Sequence, residues 1–243
     1  MTYKILLDKV SVEYRIPSER IGTLKEYVIR LAQGRVSHRK FFALNNISLK
    51  IESGEVFGLI GHNGAGKSTM LKLIARVLTP THGRIEVLGK VSPLLELGAG
   101  FHPELSGREN VFLNGALLGY SHKEMNEKLG SIIEFSGIPD FIDAPMRTYS
   151  SGMWARLGFA VATVTRPDVL LVDEVLAVGD EAFQQKCFER IDRFQNEGTT
   201  IILVTHSMET IMAMCHQVAW IDHGNLKFVG NPHKAVEYYR GLA

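Results

Sequence analysis

The chain has 243 residues, 45% of them apolar and 22% charged, with a formal net charge of +1 at pH 7. That suffices for one sizeable domain, or two closely merged ones, with the composition of an ordinary soluble globular protein. The near-neutral balance excludes a global pull towards nucleic acid or acidic membrane, so either contact needs a local patch.

Residues 5–14, "ILLDKVSVEY", alternate apolar and polar like a half-buried strand. Residues 17–40 break that rhythm. There Leu24, Tyr27, Val28 and Leu31 recur at helical spacing among Arg20, Lys25, Arg30, Arg35, Arg39 and Lys40, against only Glu19 and Glu26. This predicts an inserted basic amphipathic segment. Strand-like "NISLKI" follows, then "GEVFGLIG". A helix is expected to start at Gly66-Lys67-Ser68 and run through "TMLKLIARVL". After "GRIEVLGKVSPLLEL" the composition changes, and residues 98–165 read as mostly helical: "GRENVFLNGALLG", "HKEMNEKLGSIIEFSG", then the run after Ser150-Ser151-Gly152. Strands return in "VLLV", "TTIILVTH", "VAWID" and "LKFVG", and "PHKAVEYYRG" closes the chain as a short helix. The expected fold class is α/β, with a core made of 1–97 and 166–230, a helical insert at 98–165 and a C-terminal helix at 231–243. Cys187 and Cys215 fit no disulfide or C-x-x-C pattern and read as buried thiols of a reducing compartment. The N-terminus lacks a secretory apolar core, and no window nears 18 consecutive apolar residues. A cytosolic protein is expected, unless a partner takes it to a membrane.

"GHNGAGKST", Gly61 to Thr69, matches G-x-x-x-x-G-K-[ST] in the context that match requires, after a strand and before a helix. Gly61, Gly64 and Gly66 let the backbone curl so that its N–H groups, those of His62, Asn63 and Ala65 included, face a β-phosphate. The helix dipole and Lys67 add positive charge, and the Ser68 hydroxyl is placed to ligate Mg²⁺. "VLLVDE" ends an apolar strand in two carboxylates: Asp173 to hold Mg²⁺ through its water shell, Glu174 to polarise the attacking water as general base. His206, ending "TTIILVTH", is expected at the same sheet edge beside the γ-phosphate. In "TYSSGMWARLGFA" small residues precede an apolar helix and leave bare amides at its start, an anion-binding arrangement far along the chain from the phosphate loop. An ordinary N-cap is the other reading of Ser150.

The order of phosphate loop, Ser-Ser-Gly helix, "VLLVDE", Asp180 and His206 resembles the nucleotide-binding subunit of ABC transporters across nearly the whole chain. The resemblance implies a P-loop NTPase core with an antiparallel β subdomain and an inserted α-helical subdomain. It implies ATP and Mg²⁺ as ligands, and a homodimer that sandwiches two ATP molecules. Each ATP is then held by one subunit's phosphate loop and the other's signature motif. "YSSGM" looks like that signature, usually Leu-Ser-Gly-Gly-Gln, so Ser150, Ser151 and Gly152 face the γ-phosphate bound to the partner. Ser151 and Met153 depart from the usual Gly and Gln. In "PLLELGAGF" the usual metal-reaching Gln is replaced by Glu96. Asp180 in "LAVGD" resembles the acid of the loop that crosses between subunits. Tyr14, ending the first strand, fits the adenine-stacking aromatic, with Phe41 or Phe42 as competitors.

The inserted segment 17–40, Glu96 and "YSSGM" together look like the ATPase subunits of bacterial polysaccharide exporters of the O-antigen and teichoic-acid type. That likeness implies a separate polytopic permease, a lipid-linked polysaccharide as cargo, no nucleic acid, and a place on the cytoplasmic face of the bacterial inner membrane. O-antigen members often carry a further carbohydrate-binding domain after the ATPase. For segment 17–40 a solvated surface helix stands against one lying near membrane phosphates. Rival readings are a soluble ABC ATPase of translation or DNA repair, a P-loop small-molecule kinase, and the ATPase of an importer or drug exporter. The first usually has two cassettes or a long coiled-coil insert. The second needs no signature motif. The third differs only in the branch features.

Overall fold

A computed structural model describes residues 3–17, 38–94, 97–173 and 179–241. Two sheets organise them. Strands β1 (Tyr3–Pro17), β2 (His38–Glu52) and β4 (His82–Val87) form an antiparallel sheet in the order β2-β1-β4. The second sheet runs β5 (Val91–Pro93), β6 (Val169–Asp173), β7 (Thr200–Val204), β3 (Val56–Ile60), β8 (Gln217–Asp222) and β9 (Asn225–Gly230). It is parallel from β5 to β8, and β9 pairs antiparallel with β8. Strands β3 and β7 are buried at every position. Both faces of the sheet are covered, one by α-helices and the other by the antiparallel sheet with the helix after β3, which accounts for their largely apolar runs.

Helix α1 (Lys67–Ile74) follows β3. It is shorter than the sequence led us to expect, because Ala75 caps it and Arg76 turns left-handed at φ 61°. The Arg76 guanidinium then donates to the Val87 carbonyl of β4 instead of continuing the helix face. Helices α2 (Gly107–Leu117) and α3 (His122–Ser136) each start in a reciprocal capping box, Ser106 with Glu109 and Ser121 with Glu124. Gly137, left-handed at φ 66°, ends α3. Helix α4 (Ser151–Ala162) follows the Ser-Ser-Gly turn. Two helices escaped the pattern reading: α5 (Glu181–Asn196), capped by Asp180, and α6 (Met208–Met214), capped by Ser207. Helix α7 (Pro232–Gly241) is the expected closing helix.

Three apolar clusters fill the interior. One joins the antiparallel sheet, α1 and one face of the parallel sheet. A second lies on the opposite face, under α5, α6 and α7. The third draws only on residues between Phe101 and Val161, so the helical insert buries a core of its own. Phe135, Phe159 and Phe183 link α3, α4 and α5, with ring centroids 5.6–6.1 Å apart. Cys187 and Cys215 are both buried, and burial pushes each thiol up to about 12, so neither is a reactive thiolate at neutral pH. No helix among the described residues is long and apolar enough to cross a membrane.

Candidate functional site

Parallel α/β sheets present ligands at the carboxyl ends of their strands, and the loop after β3 stands at that edge of the central strand. Gly66 sits at the start of α1 with φ 114°, and a Cβ there would lie 2.6 Å from the Ala43 carbonyl oxygen. Only glycine fits. No side chain caps α1, so its first amides remain available to a phosphate. Lys67 folds back over the loop, and its ammonium donates to the carbonyls of Gly61 at 2.7 Å and His62 at 3.0 Å. It is buried, which draws its pKa below the usual lysine range while Asp173 pulls the other way. Burial likewise pushes the Asp173 carboxyl above the ordinary range, opposed by the Lys67 and His206 charges. Each partner moves against its own charge, so desolvation outweighs their attraction in this pocket.

These groups share one cavity of about 400 Å³, lined by Asn63, Gly64, Gly66, Lys67, Ser68, Thr69, Asp173 and His206, and by Tyr14, Phe41, Ala43 and Val204. Asp173 ends β6. His206 lies two residues beyond the end of β7 rather than ending it, which lets the ring reach over the sheet edge. Of the lining aromatics, Tyr14 stands opposite Phe41 in the β1–β2 register, while Phe42 stands opposite Glu13. Alternation therefore puts Tyr14 and Phe41 on one face, and both are exposed although apolar. Two aromatics on a wet surface beside a phosphate loop suit a planar base. Tyr14 does not end its strand, which continues to Pro17. Phe41 was legible only as a competitor, because register decides between it and Phe42.

Ser150, Ser151, Gly152 and Asp180 are not among the residues lining that cavity. The Ser150 hydroxyl accepts from the Met153 amide at 3.2 Å, as an N-cap does. The turn is anchored from behind: the Tyr149 hydroxyl donates to the Phe141 carbonyl at 2.7 Å. Asp180 caps α5 by accepting from the Phe183 amide at 3.0 Å, and pairs with Arg156 at 2.7 Å. The amide first, and then the Arg156 charge, hold its carboxyl below the ordinary range. Arg156, in the middle of apolar α4 and 5.3 Å above the Phe183 ring, is a contact that sequence reasoning missed. Its signal was one charge on an otherwise apolar helix. His62 turns away towards β8, and Ala65 contributes backbone, its amide donating to the His62 carbonyl at 3.1 Å. Glu96, Glu174 and most of the basic segment, 18–37, lie outside the described residues.

A strand-loop-helix phosphate site on a parallel sheet, with an acid from a neighbouring strand in the same cavity, defines a P-loop nucleotide-binding protein. The ABC transporter family model matches residues 44–177. Over 202 residues the chain is 48% identical to the O-antigen export system ATP-binding protein RfbB of Klebsiella pneumoniae, covering 83% of this chain and 82% of that one. Over 239 residues it is 40% identical to the teichoic acids export ATP-binding protein TagH of Levilactobacillus brevis, covering 98% of this chain and 65% of that one. Among solved structures, the dimeric post-hydrolysis state of the ATP-binding cassette MJ0796 bound to ADP and Pi aligns with a TM-score of 0.72. Its identity is 20%, covering 94% of this chain and 98% of that one, a likeness of fold alone. The chain belongs to the ABC transporter family.

Proposed function

We propose that this chain is the ATP-binding and ATP-hydrolysing subunit of an exporter that moves a lipid-linked polysaccharide across the cytoplasmic membrane. It works as a pair of copies with a separate polytopic permease. The observation that carries the ATP chemistry is the single cavity in which Lys67, Ser68, Asp173 and His206 meet the Tyr14–Phe41 face. The cargo rests on the export functions for which the relatives at 48% and 40% identity are named.

The base lies against Tyr14 and Phe41, and the phosphates run over the loop amides and the start of α1. Lys67 leaves the Gly61 and His62 carbonyls for the phosphate oxygens, a stronger, charge-assisted bond. Ser68 and Asp173 are hard oxygen donors in the same cavity, a set that fits Mg²⁺, which when bound neutralises charge on the β- and γ-phosphates. Glu174, one residue beyond Asp173, takes the proton of the attacking water, and His206 orients that water. Ser150 and the Ser151 and Gly152 amides of the second copy close over the γ-phosphate, and Asp180 lies where the copies cross. Glu96, in place of the family's usual Gln, serves the metal. Residues 17–40 face membrane or cargo phosphates with their basic side.

Three measurements test this. Mg²⁺-dependent ATP hydrolysis by the purified chain tests the site. Recovery of surface polysaccharide in a strain lacking the gene, together with co-purification of a polytopic membrane protein, tests the cargo. Hydrolysis without either of the latter would leave the enzyme and remove polysaccharide export.

A further inference from the structure

His62 belongs to the phosphate loop by sequence, yet its side chain leaves towards the turn between β8 and β9. Its Nδ1 lies 2.7 Å from the Asn63 carbonyl oxygen. A carbonyl only accepts, so Nδ1 carries the hydrogen, and in the neutral ring the lone pair falls on Nε2. That nitrogen stands 3.0 Å from Asp222 Oδ1. It is shut away from solvent, and although the separation is that of an ion pair, the angles do not make it a hydrogen bond. Two acceptors face each other at contact distance, so something positive belongs with them.

A proton on Nε2 needs only one imidazole, but a second one is present. His223 takes φ 44°, uncommon for a residue other than glycine. Its ring lies 4.6 Å from that of His62, and its Nε2 is 3.8 Å from the same Asp222 oxygen. One ligand atom from each of His62, Asp222 and His223 falls within 4.8 Å of the others. Lys227 approaches the opposite carboxylate oxygen, Oδ2, at 3.8 Å and leaves Oδ1 to the histidines. The cradle is tied together by backbone. The Gly224 amide donates to the Ala65 carbonyl at 2.9 Å, and the Asn225 side chain donates to the His223 carbonyl at 2.9 Å.

We propose that His62, Asp222 and His223 form a two-histidine, one-carboxylate site for a divalent transition metal such as Zn²⁺, bridging the phosphate loop to the β8–β9 turn. Imidazole nitrogens select such an ion over Mg²⁺, which takes oxygen ligands. The site is separate from Ser68 and Asp173, so it does not compete with the metal of the nucleotide. His223 is exposed, which leaves the fourth position to water. A metal here cross-links the second residue of the phosphate loop to the neighbouring hairpin and stiffens the loop before nucleotide arrives.

The test uses the full chain without a histidine tag, stripped with chelator, free of nucleotide and held in excess Mg²⁺. Zn²⁺ is titrated by calorimetry and Co²⁺ by visible absorption. One equivalent is expected, with a raised thermal midpoint in Zn²⁺ and Co²⁺ bands of a four- or five-coordinate nitrogen–oxygen site. Asp222→Asn and exposed His223→Ala should each weaken Zn²⁺ at least tenfold, while the metal-free midpoint of His223→Ala stays that of the parent. No uptake by the parent leaves a proton between His62 and Asp222 and overturns the proposal. Uptake unchanged in both variants assigns the metal to other histidines and overturns it equally.

Discussion

The helix starts at Gly66 and at Ser150 are built from the same small residues, yet one is ready for an anion and the other is occupied. At Gly66 no side chain caps the helix, and Lys67, Ser68, Asp173 and His206 converge on the bare amides within one cavity. At Ser150 the hydroxyl is engaged with the Met153 amide, and the turn does not line that cavity. In the proposed function the first is a half-site, and the second is a lid for an anion held by a second copy. Desolvation sharpens the contrast: burial moves Lys67 and Asp173 each against its own charge, costs that the phosphate and metal of the proposed function would relieve.

The largest effect should come from the chemistry of the first site. Glu174→Gln should lower ATP turnover by roughly 10²–10⁴-fold while ATP still binds, and light scattering with ATP and Mg²⁺ should show a trapped dimer. A variant that binds ATP and stays monomeric breaks the division into half-site and lid. Gly66→Ala comes next. Its Cβ meets the Ala43 carbonyl at 2.6 Å and its φ of 114° is foreign to alanine. A strain of about 1–3 kcal/mol should appear as weakened binding of a fluorescent ATP analogue by a folded monomer.

Two substitutions at Ser150 separate cap from lid. Ser150→Ala should lose about 1 kcal/mol of helix capping, near 2–4 °C in midpoint for a chain of this size, without changing ATP binding by the monomer. Ser150→Asp keeps the cap and the midpoint but sets a carboxylate against the partner's γ-phosphate, so turnover should fall at least tenfold. If both variants lose turnover only in proportion to stability, Ser150 is an ordinary cap.

Asp173→Asn should raise the midpoint of the nucleotide-free protein at neutral pH while abolishing Mg²⁺-dependent turnover. The folded pKa of Asp173 lies above the unfolded one, so the folded state holds the proton more tightly and loses stability as pH rises through that window. The advantage of asparagine should therefore shrink towards pH 4, near the ordinary aspartate value, and urea titrations across that range check it. The smallest effect is expected at the exposed pair of Arg108 and Asp143, 2.7 Å apart on the helical insert. Asp143→Asn should leave both turnover and binding unchanged, and a loss of either would tie that surface to the lid.

The phosphate loop, the helix after it and the strand that ends in Asp173 were legible because they depend on local order. Glycines at fixed offsets and an apolar run ending in carboxylates carry their own geometry. The capping boxes at Ser106 and Ser121 are equally local, each closed within four residues, although the sequence reading did not single them out. Helix α5 was not legible. Its apolar face is carried by Phe183, Cys187, Ile191 and Phe194 among many charges, and its burial is supplied by distant strands. The choice of Phe41 over Phe42 required the β1–β2 register, since a one-residue slip exchanges the faces. The Arg156–Asp180 pair joins residues 24 apart, and the meeting of His62 with Asp222 and His223 depends on β8 lying beside β3. Sequence by itself determined which residues could hold phosphate, because that information is local. Which aromatic, arginine and histidines stand beside them was decided by strand order and register, because side chains far apart in the chain meet only when the sheet sets them on one edge.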